Sequence, residues 1–367
     1  MPALDLADLD HGVDPGVDFY RFANGGWLDR NPLPPDAESW GTFAVLREQN
    51  AQQLRAILED CIADTHALPG SDRRLLGDFY RAAMDEDAIE RDGMSALGSW
   101  LAGIAGIRDA HDLARVIGEL HRTAAPQAAF LFYRGVDVDH PGQAIATLAQ
   151  GGVQLPDPAQ YAAADEDARA LRRDYQRHVA RMFELLGEDE SAAGAAAEDA
   201  IGVEAALAAA FVDPATGRES TEFHRTSLTA MAASMPGFCW TDYGRGLGLD
   251  SDRPVHLAQP RFFAALAELA TRLPVAAWRH YLTWNLVATN AELLGEAVSG
   301  PRFEFFDRRI AGLDKRPPRW RRVLIQVENC LGWTLAREYV ARHFDARARD
   351  CASEMVREIR ATLRQRL

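Results

Sequence analysis

Lysine is almost missing: of 40 lysines and arginines in this 367-residue chain, only Lys315 is a lysine. A phosphate-binding G-x-x-x-x-G-K-[ST] loop, a Schiff base or a kinase-type lysine would have to use it, and it sits in "AGLDKRPP", followed by arginine. Cysteine is scarce too. Cys61, Cys239, Cys330 and Cys351 form no C-x-x-C, so neither a zinc ribbon nor a thioredoxin-like pair is supported. No window approaches the roughly 18 apolar residues of a membrane span, and "MPALDLADLDHGVDPG" lacks the basic and apolar regions of a secretory signal. These absences lead us to expect a cytoplasmic, reducing location with all four thiols free. Excess positive charge is also lacking: the net charge of -14 and pI near 5.2 argue against nucleic acid or an anionic membrane as the main partner, since both need a cationic footprint.

Paired metal ligands are missing as well. None of the 10 histidines is followed by glutamate and no two stand four residues apart, so H-E-x-x-H is absent. That motif sets two imidazoles one helical turn apart beside an activating glutamate. His111, His121, His178 and His280 fall in predicted helices, where satisfied or surface roles are expected. "GMSALG" has the wrong spacing for G-x-S-x-G, and "GRGLGL" lacks the third glycine of a dinucleotide site. Acidic pairs such as Asp85-Glu86 and Glu198-Asp199 read as exposed helix faces. No catalytic and no metal-binding residue is therefore assigned.

What the sequence does contain is mostly helical. Phe43, Leu46, Leu54, Ile57 and Leu58 share one face of a helix from about Gly41 to Cys61, with Arg47 in its first turns. Amphipathic stretches follow to about Leu120. "AAFLFYRGVDVD" and "QAIATLAQ" predict two short strands, the one convincing β signal. Further helices are expected around Leu171–Gly187, Ala195–Phe211, Arg261–Leu273 and Ala276–Leu294. After the basic turn "DKRPPRWRR", Val327, Leu331, Leu335 and Tyr339 form another apolar stripe. Ser353 reads as the cap of a last helix bearing Val356, Ile359, Leu363 and Leu367, and the chain stops inside that pattern. The start differs. Asn24-Gly25-Gly26, then Pro32, Pro34 and Pro35, predict an extended arm rich in Phe19, Tyr20, Phe22, Trp27 and Leu33, which needs a surface to lie on.

"DFYRFANGGWL" and "WGTFAVLREQN" strongly resemble the N-terminal region of the neprilysin and endothelin-converting-enzyme family of zinc endopeptidases. "FYRAAMDEDAIE", "LPDPAQY", "RRDYQRHVARMFELLG", "MPGFCWTDY", "WRHYLTWNL", "RPPRWRRV" and "LGWTLAREYVARHF" follow in the family's order. The resemblance implies a mainly α, multi-helical cap lobe with one small β element near residues 128–150. It divides the chain into an arm (1–40) that packs on the catalytic lobe, a helical cap (41–345) and a helix (346–367) leading toward that lobe. Only the family's first half is represented. The implied protein is a non-catalytic, substrate-enclosing cap whose zinc belongs to a catalytic lobe on a separate chain. The alternatives are a fragment of a one-chain peptidase and a peptide-binding module without catalysis. The implied partners are that lobe and a peptide substrate, with no nucleic acid and no membrane. By the same resemblance Arg47, in "LRE", would bind a substrate carboxylate; Ser39 stands where a second arginine is usual, and Asn24 and Val323 replace cysteines of secreted members. Without the resemblance, Arg47 reads as a surface helix arginine paired to Glu48 or a neighbour.

Overall fold

The computed structural model describes residues 5–37, 39–212 and 224–366. Its helices in chain order are α1 (Phe19–Arg30), α2 (Thr42–Ala63), α3 (Asp72–Met84), α4 (Glu86–Asp92), α5 (Gly98–Ala105), α6 (Ala110–Thr123), α7 (Glu166–Leu185) and α8 (Glu190–Ala209). They continue with α9 (Leu228–Ser234), α10 (Trp240–Leu247), α11 (Pro260–Arg272), α12 (Val275–Asn290), α13 (Glu296–Arg302), α14 (Arg319–His343) and α15 (Ala346–Arg366). The strands are β1 (Leu131–Val136), β2 (Ala144–Ala149), β3 (Arg225–Thr226) and β4 (Val255–Leu257). The mainly helical class with one small sheet is thus realised. Two compact units result: Met1–Glu86 with Phe306–Leu367, and Asp87–Phe305.

The core of the first unit is a three-helix cluster. Leu54, Ile57, Leu58 and Cys61 of α2 meet Leu76 and Tyr80 of α3 and Val323, Leu324, Val327 and Leu335 of α14. Complete burial of a leucine such as Leu58 stabilises by about 1.5–3 kcal/mol. Arginine ties the cluster's edges: Arg73 bonds Asp64 at 2.8 Å and Glu338 at 3.0 Å, and Arg337 grips both oxygens of Asp72 at 2.7 and 2.8 Å. Helix α14 begins at Arg319 inside the predicted basic turn and is kinked at Leu331.

Two expectations are corrected in this unit. Much of the predicted extended arm is helix α1, capped by Asp18, whose carboxylate accepts from the Arg21 amide at 2.9 Å. The glycines that read as a turn serve close approach instead. A Cβ on Gly26 would stand 2.2 Å from the Ala7 carbonyl oxygen, and one on Gly25 would stand 2.5 Å from Asp10 Cβ. Phe19 and Tyr20 remain 68% and 67% exposed. At the other end, Ser353 lies in mid-helix; the capping carboxylate is that of Asp345, which accepts from the Ala348 amide at 2.8 Å. Leu367 lies outside the described residues.

In the second unit β1 and β2 form the predicted antiparallel hairpin, and β4 joins β2 in parallel with β3 antiparallel beyond it. The last two strands lacked a sequence signal. Helix α8 starts at Glu190, earlier than expected, because Asp189 accepts from the Ala192 amide at 2.9 Å. An aromatic core holds Phe130, Phe238, Trp240, Tyr243 and Phe263, with Phe238 and Trp240 4.5 Å apart by ring centroid. Helices α6 and α10 cross in backbone contact: Cβ atoms on Gly118 and Gly246 would lie 2.3 Å from the Tyr243 carbonyl and 2.0 Å from the Arg115 carbonyl.

Candidate functional site

Arg47 stands two turns before Leu54, where the buried stripe of α2 begins, and its side chain is exposed. The alternative of a pair with Glu48 is not what forms. The Glu48 carboxylate takes Arg321 at 2.6 Å and the amide of Gln52 at 2.8 Å, and Arg47 has no ion-pair partner among the described residues. Arg321 also meets the neighbouring aromatic ring: the guanidinium carbons of Arg55 and Arg321 lie over Trp320, at 4.9 and 5.2 Å from its ring centroid.

Arg47, Glu48 and Arg321 line a cleft of about 570 Å³ within the first unit, together with Ser39 and Trp40, and Leu54, Leu313, Leu324 and Ile325 supply apolar surface. Asp36 and Glu328 also reach it. The cleft as a whole is therefore not cationic, and attraction for an anion depends locally on Arg47. Its composition suits a ligand with one negative group and an apolar body. The sequence pointed to Arg47 but not to Arg321, because the Glu48 to Arg321 pair joins residues far apart in the chain.

The helical histidines are all engaged. His121 is buried between Tyr243 OH at 2.9 Å and the Ala128 carbonyl at 2.8 Å, and burial lowers its pKa to about 4. His178 stacks on Phe305 at 5.1 Å, and burial likewise lowers it to about 4. His280 bonds Asp199 at 2.8 Å, and His111 bonds Asp242 at 2.7 Å, a contact that raises the imidazole pKa. Burial pushes the Cys239 thiol up, which disfavours a thiolate nucleophile there.

One buried carboxyl escaped the sequence reading. Glu204 is fully enclosed, and burial raises its pKa to about 7 despite three donors: Tyr175 OH at 2.6 Å, Tyr161 OH at 2.8 Å and Trp284 Nε1 at 3.0 Å. All three donors are aromatic side chains. Position in the alanine-rich α8 gave no hint of it.

The profile of peptidase family M13, N-terminal domain, matches residues 15–367. The chain is 27% identical over 380 residues to endothelin-converting enzyme-like 1 of Mus musculus, covering 98% of this chain and 48% of that protein. It is 24% identical to endothelin-converting enzyme 1 of Homo sapiens, over 99% of this chain and 48% of that protein. A crystal structure of the zinc metalloprotease ZMP1 of Mycobacterium tuberculosis with an inhibitor superposes with a TM-score of 0.86 at 29% identity, over 95% of this chain and 53% of that one. The chain thus spans about half the length of the relatives it matches. No helix among the described residues is long and apolar enough to cross a membrane. Matched along nearly its whole length, the chain belongs to peptidase family M13, of which it carries the N-terminal domain.

Proposed function

We propose that this chain is the non-catalytic, substrate-enclosing cap half of a zinc endopeptidase, acting with a zinc-bearing lobe supplied by a separate chain. The observation that carries the reading is a family match over residues 15–367 in a sequence without H-E-x-x-H. The relative ZMP1 is a zinc metalloprotease, and this chain corresponds to 53% of it. In the assembled enzyme the metal would polarise the scissile carbonyl and activate water on residues of the other lobe. This chain's contribution would be to enclose the peptide and to offer Arg47 to a substrate carboxylate, a role supported by the guanidinium's lack of an ion-pair partner among the described residues. A reducing cytoplasm is part of the same proposal, in keeping with four free thiols.

The test is reconstitution. Mixing this chain with a polypeptide of the same genome that carries H-E-x-x-H is expected to produce peptide hydrolysis that neither shows alone. Equal activity of that polypeptide by itself would reject the cap role. A reading frame running past Leu367 into H-E-x-x-H would replace the two-chain arrangement by a one-chain enzyme and leave the cap role standing. Peptide binding without hydrolysis in every such mixture would favour a binding module.

A further inference from the structure

The sequence holds neither H-E-x-x-H nor C-x-x-C, yet the fold gathers three potential metal ligands. His111 lies in the first turn of α6, Cys239 immediately precedes α10, and Asp242 lies in the first turn of α10. One ring nitrogen of His111, the Cys239 sulfur and one carboxylate oxygen of Asp242 all lie within 4.8 Å of one another. Backbone contact sets this geometry. Gly118 and Gly246 let α6 and α10 touch, and His111 meets Asp242 just as Arg115, one turn on, meets Gly246.

We propose that His111, Cys239 and Asp242 bind a divalent transition metal of the zinc type, with water completing the coordination. Imidazole, thiolate and carboxylate together suit zinc and disfavour magnesium or calcium, which take oxygen ligands. Ligand atoms around tetrahedral zinc stand about 3.3–3.6 Å apart, from bond lengths near 2.0–2.3 Å. Side-chain rotation of about 1 Å would close the triad onto an ion while opening the 2.7 Å contact of His111 with Asp242. Each ligand is available for that change. Cys239 makes no side-chain cap bond to α10, the His111 side chain is 73% exposed, and Arg245 holds the other oxygen of Asp242, which orients the one facing His111. Binding releases the Cys239 proton to solvent and requires the ligating nitrogen of His111 to give up its hydrogen, to solvent or to the other ring nitrogen, and the thiolate and carboxylate then balance the two charges of the ion. The proposal does not depend on the peptidase reading, because all three ligands belong to the second unit of this chain.

The experiment uses the whole 367-residue chain, stripped with a chelator and titrated with cobalt(II) and with zinc. One equivalent of cobalt is expected to produce a thiolate-to-metal charge-transfer band together with the strong visible bands of four-coordination, and one equivalent of zinc should abolish both. Cys239→Ser should remove the charge-transfer band. His111→Ala, at an exposed side chain, should weaken zinc binding at least about tenfold by calorimetry with the thermal transition unchanged. Failure to bind one equivalent overturns the proposal. So does full affinity in both variants, or loss of the cobalt spectrum when the exposed Cys330 and Cys351 are replaced instead.

Discussion

At the scale of single residues, two charged groups have testable chemistry. In an assembled enzyme Arg47→Ala is expected to lower kcat/KM roughly ten- to hundredfold on peptides with a free C-terminal carboxylate near the cleaved bond, about 1.5–3 kcal/mol, and to leave the amidated versions nearly unchanged. Lysine should restore only part, since a point charge lacks the bidentate fork. Equal losses on both peptide forms would reject the carboxylate role. The buried Glu204 speaks to stability. Its folded pKa, about 7, lies above the unfolded value, so the folded state holds the extra proton; the stabilisation is complete below about 4.5 and is lost as pH rises through about 7. His121 and His178, lowered to about 4 by burial, act in the opposite sense, favouring folding as pH rises from about 4 to 6.5. Denaturant unfolding of the wild type and of Glu204→Gln should therefore be compared by difference. That difference is expected to fall between about pH 5 and pH 7.5, and a flat one would show that Glu204 does not titrate in this window. A constant loss should accompany it. The Tyr161 and Tyr175 hydroxyls both donate to Oε2 and the donor-only Trp284 Nε1 bonds Oε1, so a glutamine that turns its oxygen to the tyrosines must turn its amide nitrogen against the indole N–H.

At the scale of elements, glycine separates what sequence shows from what it hides. Gly118 and Gly246 face backbone across the crossing of α6 and α10, so alanine at either must push two helices apart, at a cost of about 1–3 kcal/mol in a denaturant titration. Gly194 in α8 has nothing within 4 Å of an added Cβ, and alanine there should instead stabilise by roughly 0.5–1 kcal/mol. A stabilising effect at Gly118 would contradict the backbone contact. The helices legible in advance were those whose apolar residues recur on one face and pack in a core, such as α2, α7 and the later part of α14. Helix α1 was misread because Asn24-Gly25-Gly26 has the local chemistry of a turn, whereas its helix is maintained by glycine contacts with residues 7–10. Strands of two and three residues, β3 and β4, are too short to show a period; β4 forms on the edge of β2, and β3 on the edge of β4. Arg47 was visible through its motif, while the pairing that leaves it unpaired, Glu48 with Arg321, needed the fold.

At the scale of the whole chain, the two units differ in continuity. Helix α15 buries no residue and exposes Met355, Val356, Ile359 and Leu363, so its amides are expected to exchange with solvent faster than those of α2 and α3 in a verified monomer. Equal protection would mean that α15 is covered in solution, and addition of a catalytic lobe should slow its exchange. Continuity also has a consequence in time. Unit two is one uninterrupted segment, Asp87–Phe305, but the core of unit one needs α14, which is translated only after that segment. At about 5–20 residues per second, the ribosome takes roughly 12–47 seconds to pass from the end of α3 to the start of α14. During that interval Leu54, Ile57, Leu58, Leu76 and Tyr80 wait without their third wall, so the nascent amino-terminal hairpin is the part of this protein that most needs a chaperone.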